Sequence, residues 1–199
     1  MGANRSSTRV ENWSGRVLSF EPNSAVRERL LEHVEMNRLQ NVTVIPCALG
    51  QEEGTASLAL LEHHSGTATL CETDGAVSRI DVRVAPLDAF LGQMPEERPV
   101  VMKLDLEGYE WQAIRGMSET FRTRNVRAAI IEKDSAWIER GEGNYPRIRE
   151  YMEVYQLEPF DLTVTRRAMR RHLALTRPHG AHPSFNAVFV KRTSRTLSG

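Results

Sequence analysis

Short apolar runs that each stop at a polar residue, with helical patterns between them, constrain this chain more than any other feature. Val17-Leu18-Ser19-Phe20 ends at Glu21-Pro22-Asn23. Residues 24–38 then carry Val26, Leu30, Leu31 and Val34 on one helical face, with Asn23 or Ser24 as the cap. Val42-Thr43-Val44-Ile45 is the next strand, which makes a right-handed βαβ unit. Val100-Val101-Met102-Lys103-Leu104 reads as a buried strand. A helix follows from about Tyr109, with Trp111, Ile114 and Phe121 turned to the core. Ala128-Ala129-Ile130-Ile131 is another strand, ending at Glu132. Residues 146–157 read as an amphipathic helix on Ile148, Tyr151, Met152 and Tyr155, and Ala187-Val188-Phe189-Val190 is the last strand. Thr55–Leu60 and Thr67–Leu70, with Ser65-Gly66 between them, break the alternation; they predict a hairpin-like insertion at about 54–71 in place of a helix. Val82-Arg83-Val84 alternates and leads into Pro86-Leu87-Asp88. This order predicts a single three-layer α/β domain over residues 1–192, its sheet parallel except near the final strand, with 193–199 as a frayed tail.

The bulk properties exclude several classes. With 199 residues and 40% hydrophobic side chains, the chain has enough material for one core. No run approaches the roughly 18 apolar residues of a membrane helix, and the first residues lack a signal-peptide stretch. Cys47 and Cys71 show no pairing pattern, which fits a reducing, cytoplasmic compartment. Net charge is zero but uneven: after Asp161 there are eight Lys and Arg and no acid, so the rest of the chain carries 18 basic against 26 acidic groups. The basic tail is either a solvated face or a positive rim that draws in an anionic substrate.

Ligands of open α/β sheets bind beyond the carboxyl ends of the strands. Three runs end there in acid: Glu21, Asp105 with Glu107, and Glu132. In a parallel sheet these carboxylates converge on one edge. Glu21, after a strand of a nucleotide-binding unit, suits the two hydroxyls of a ribose, whether of NAD or of S-adenosylmethionine. NAD is the weaker alternative, because no Gly-x-Gly-x-x-Gly turn exists. Gly108 allows a sharp turn from strand to helix, and Glu110 reads as a helix-start residue. His63, His64, His172, His179 and His182 fit no zinc spacing, so no metal site is expected. Trp137 and Tyr145 are packing aromatics or pocket-lining ones. Neither cysteine has the partners of a nucleophile.

Ser19-Phe20-Glu21-Pro22-Asn23, Cys47-Ala48-Leu49-Gly50, Pro86-Leu87-Asp88 and Lys103-Leu104-Asp105-Leu106-Glu107-Gly108-Tyr109-Glu110 occur in the order and spacing of the FkbM-type methyltransferases, as does the strand ending in Glu132. The chain resembles that family over roughly residues 15–135. The resemblance implies a class I, Rossmann-like methyltransferase sandwich and S-adenosylmethionine as cofactor. It implies that Glu21, with Asn23 beside it, holds the ribose, that Ala48 and Leu49 lie by the adenine, and that Asp105 faces the methionine end. It also implies a hydroxyl acceptor on a small molecule or sugar. Glu107 and Glu132 are then the candidates for the base. The family's opening turn reads Asp-x-Gly-Ala-Asn-x-Gly. Here Met1-Gly2-Ala3-Asn4-Arg5-Ser6 keeps only its middle, so Gly2 and Asn4 are the remaining turn positions for the cofactor, and the first strand of the sheet is expected to be missing. The alternative expectation is a non-catalytic fragment or interaction module. Thr165–Ser184 is long, basic and rich in turn formers, and predicts a lid over the acceptor in which Arg170 and Arg171 grip an anionic group. Nucleic acid is a weaker expectation, since the rest of the chain is acidic. The oligomeric state is left open.

Overall fold

The computed structural model describes residues 15–61, 68–133, 145–160 and 185–192. The chain divides into two compact units, residues 1–47 and 48–199, taken in turn.

In the first unit, β1 (Val17–Phe20) and β2 (Val42–Ile45) pair in parallel, Val17 opposite Val42 and Phe20 opposite Ile45. Helix α1 (Ser24–Met36) joins them. Its start is fixed by Asn23, whose side-chain oxygen accepts from the Ala25 amide at 3.1 Å. Its end is fixed by Asn37, which bonds the His33 carbonyl, and by Arg38 in the left-handed region at φ 53°. The apolar face expected on α1 is only partly used: Val26, Leu30 and Val34 are half-buried and Leu31 is exposed. A two-stranded sheet offers a helix little area to cover.

The second unit holds two four-stranded sheets. In the first, β3 (Ala48–Leu49), β4 (Gly54–Leu61), β5 (Ala68–Thr69) and β6 (Ala76–Ala85) lie in the order β3-β6-β4-β5. The hairpin expected at 54–71 is present, with Ala59 opposite Thr69, and it recruits β6 along its whole length. Period-two spacing puts Ala56, Leu58 and Leu60 of β4 on the same face as Ile80, Val82 and Val84 of β6, and Ala48, Ala68 and Leu70 close that core. In the second sheet, β7 (Pro99–Leu104), β8 (Asn125–Lys133), β9 (Leu157–Phe160) and β10 (Phe185–Lys191) lie in the order β7-β8-β10-β9. Only β7 and β8 pair in parallel there; β10 is antiparallel to both β8 and β9.

Four expectations need correction. Antiparallel pairing is not confined to the final strand, because hairpin connections impose it throughout the insertion. The helix expected from Tyr109 is two short ones, α2 (Glu110–Arg115) and α3 (Ser118–Thr123), broken at Gly116-Met117. The helix expected over 146–157 is α4 (Tyr145–Val154), and residues from Leu157 on form β9 instead, after Gln156 turns the chain at φ 61°. Strand β7 is not buried on both faces: Val101 is 64% exposed. Among the described residues no helix is long and apolar enough to cross a membrane. The tail 193–199 lies outside the described residues.

Pro86-Leu87-Asp88 proves to be a fastening. It opens a 3-10 helix, Leu87–Gln93, and the Asp88 carboxylate accepts from the amides of Glu119 (2.9 Å) and Thr120 (2.7 Å) and from the Thr120 hydroxyl (2.7 Å). This caps the first turn of α3 from a distant part of the chain, and Thr120 is fully buried. Asp88→Ala is expected to cost about 2 kcal/mol, because it removes a cap and strands a buried hydroxyl. Urea denaturation will show this as a lower midpoint at unchanged slope.

Candidate functional site

Among the described residues, the strand pair β7–β8 brings together a group of three acids. Its register runs Lys103 opposite Ile130 and Leu104 opposite Ile131, so one residue further on Asp105, just past the end of β7, stands beside Glu132, which is still within β8 and opposite Asn186 of β10. The Asp105 and Glu132 side chains are hydrogen-bonded to each other, and the Lys103 ammonium forms an ion pair with Asp105. Glu107 joins them: the three offer carboxylate oxygens within 4.8 Å of one another. Carboxylates this close cannot all ionise without relief, and the relief at hand is a shared proton and the Lys103 charge. The bond to Asp105, followed by burial and the charges of Asp105 and Glu107, pushes Glu132 up to about 7; Asp105, favoured by the bonds from Glu132 and Lys103, is held below the usual range. The opposite directions of the two shifts mean that one proton is shared by the pair and sits mainly on Glu132.

The turn after β7 places Glu107. Its φ is 52°, and Gly108 follows at 100°. Two consecutive left-handed residues reverse the chain between the strand and α2. Glycine does this without strain, whereas a glutamate is held there only by its surroundings. Glu110 is one restraint: its carboxylate accepts from the Leu106 amide at 2.8 Å, and the residue is only 2% exposed. Burial raises its proton affinity, against the backbone hydrogen bonds that lower it. Thr69 is another restraint, since its hydroxyl donates to the Glu107 carbonyl at 2.9 Å. Glu110 is thus more than the helix-start residue expected, and Thr69 was not anticipated at all. Only its register, opposite Ala59 inside the hairpin, could have flagged it.

In the first unit, Glu21 stands just beyond the carboxyl end of β1, half-buried, with Oε1 accepting from the Asn23 amide at 2.8 Å. Burial raises its proton affinity, and the Asn23 bond and the Arg27 charge oppose this. Arg27 also donates to the Glu21 and Pro22 carbonyls, so the turn is fixed from two sides.

The family model for the methyltransferase FkbM domain matches residues 1–158. The chain belongs to the FkbM methyltransferase family. The chain is also similar to the solved structure of methyltransferase FkbM from Methylobacillus flagellatus KT, at 14% identity and a TM-score of 0.48, over 88% of this chain and 36% of that one. It therefore spans about a third of that protein's length. No curated protein sequence matches it.

Within this FkbM domain, the structure brings together Asp105, Glu107 and Glu132 of the expected residues. Asn23 caps α1 beside Glu21. Ala48 and Leu49 form β3, hydrogen-bonded in register with Val84 and Ala85. Gly2, Asn4, Arg170 and Arg171 lie outside the described residues, as do His63, His64, His172, His179, His182 and Trp137. Tyr145 packs its ring 6.1 Å from that of Phe189.

Proposed function

We propose that this domain is an S-adenosylmethionine-dependent O-methyltransferase acting on a hydroxyl of a small molecule or sugar. Family membership supplies the methyltransferase; the observation that supports a hydroxyl acceptor is the proton-holding pair, Asp105 and Glu132, at the ends of two adjacent parallel strands. The reading includes a Rossmann-like layered fold and a cytoplasmic setting.

The residues present fit the cofactor. Glu21 is a half-buried carboxylate at a strand's carboxyl end, oriented by the Asn23 amide, as an acceptor for two ribose hydroxyls needs to be. Ala48 and Leu49 have their backbone committed to β6; Ala48 is buried in the core of that sheet, and the half-buried Leu49 is the one that would offer apolar surface to the adenine. By resemblance, Gly2 and Asn4 would add to the cofactor contacts, and Asp105 would face the methionine end. S-adenosylmethionine, when bound, supplies an electrophilic methyl carbon. The chain must then hold the acceptor oxygen in line and remove its proton. Glu132 is the base: with its proton affinity near neutrality it is substantially ionised at working pH yet still basic enough to take a hydroxyl proton. Glu107 and Lys103 set its charge environment. Arg170 and Arg171 hold an anionic group on the acceptor.

Calorimetry with S-adenosylmethionine tests the reading. The expected result is binding that weakens by about tenfold to a hundredfold in Glu21→Ala, the loss of one charge-assisted hydrogen-bonding partner. No heat from the wild-type chain would leave the non-catalytic module as the better reading.

A further inference from the structure

Thr69 sits in the two-residue strand β5 and is only 1% exposed. Its hydroxyl is used in both directions, donating to the Glu107 carbonyl at 2.9 Å and accepting from the Cys71 amide at 3.0 Å. A buried hydroxyl costs stability unless it is bonded, and one bonded twice has a single orientation. The carbonyl it holds belongs to the left-handed Glu107, 38 residues further along the chain. Two further restraints on this turn, Leu106 to Glu110 and Tyr109 to Leu106, are local and set the start of α2. Thr69 instead ties the turn to the hairpin sheet.

We infer that Thr69 is a positioning residue: through the Glu107 carbonyl it fixes the left-handed turn, and so decides where the Glu107 carboxylate stands relative to Asp105 and Glu132. This rests on reading those three acids as the place where the acceptor loses its proton. Among the described residues, the charged groups acting on Glu132 are Lys103 from β7, Asp105 just past its end and Glu107 from the turn after it; on its other side Asn186 of β10 is its register partner. Releasing the turn withdraws the Glu107 charge, one of the causes that raise the proton affinity of Glu132.

The test is a carboxyl-carbon NMR titration of the full chain, comparing wild type with Thr69→Val, Thr69→Ala and Thr69→Ser. Thr120→Val serves as a control that also loses a buried hydroxyl, but in the α3 cap. Thr69→Val is expected to lower the Glu132 midpoint by about half a unit or more. Thr69→Ser restores it, and Thr120→Val lowers stability without moving it. Thr69→Ala gives the same reading where the valine variant does not fold. A Glu132 midpoint that stays put in every Thr69 variant that folds overturns the inference, whatever happens to stability. Methyl transfer is followed in parallel, with the acid limb of the rate profile expected to move down in pH with the Glu132 midpoint in Thr69→Val and the KM for S-adenosylmethionine to stay unchanged. A wild-type chain without transfer removes the proposed function but leaves the titration to decide the role of Thr69.

Discussion

Replacing Glu132 with Gln is expected to slow methyl transfer by about a hundredfold or more and to leave S-adenosylmethionine binding intact. The amide has nearly the shape of the carboxyl and can still donate to Asp105, so the sheet end is preserved while the proton acceptor is lost. Removal of a positioned base costs about 10²- to 10⁴-fold. The pH profile carries the same information. The wild-type rate is expected to rise tenfold per unit at acid pH and level off above about 7, where Glu132 loses its proton; in Glu132→Gln this limb disappears. Stability has the opposite dependence at this residue. A carboxyl with a folded value raised from 4.5 to about 7 keeps its proton in the native state while the unfolded chain gives its own up. Its contribution to stability is therefore present below 4.5 and lost as pH rises to about 7. Asp105, held below the usual range, contributes in the opposite sense: its share is present above its unfolded value and lost on acidification. Activity and the stability of this corner thus pull apart between about pH 5 and 7, a contrast that rate measurements and denaturation at matched pH will show.

Gly116→Ala is expected to be the most damaging single-methyl change in the described residues. A Cβ at this position meets the Gly50 carbonyl oxygen at 2.0 Å and the Pro86 Cβ at 3.0 Å. Its φ of −82° suits any residue, so the whole effect is steric. The obstacle is backbone on one side and a proline ring on the other, and neither can swing aside. The Gly50 amide is bonded to the Ala85 carbonyl and the Asp88 amide to the Gly116 carbonyl, so relief requires parting two segments that are hydrogen-bonded in place. Overpacking of this kind costs about 1–3 kcal/mol or more. For a chain of this length that lowers Tm by roughly 2–4 °C per kcal/mol, measurable by calorimetry.

Much of the fold was legible in the sequence, and the reasons differ from element to element. Glu21, Asp105 and Glu132 could be found because an apolar run that stops at an acid marks the carboxyl end of a strand in an α/β chain, the edge where ligands bind. The hairpin at 54–71 could be found because small and β-branched residues around Ser65-Gly66 break the helical alternation. What could not be read was cross-chain. Asp88 was legible only as part of the Pro86-Leu87-Asp88 segment; its partners at Glu119 and Thr120 are bonded to it across 31 and 32 positions. Thr69 holds a carbonyl, and a carbonyl leaves no mark on side-chain identity. The break between α2 and α3 was missed because Trp111, Ile114 and Phe121 continue the helical spacing across it, whereas the Gly116 carbonyl at the end of the first helix is bonded to the distant Asp88 amide. Strand β9 was missed because Tyr155 and Leu157 extend the apolar stripe of α4, while the turn at Gln156 has no glycine to announce it.

The Asp88 fastening also bears on how the second unit comes apart. Helix α3 has six residues, too few to persist alone in water, and its first amides are sealed by a carboxylate attached to the end of the hairpin sheet. The helix therefore has no independent opening of its own at that end: the Glu119 and Thr120 amides meet solvent only when Leu87–Gln93 lets go of them. Those two amides are therefore expected to exchange hydrogen together with the Leu87–Gln93 segment that seals them, while α1, with both caps taken from its immediate neighbours, is expected to fray separately.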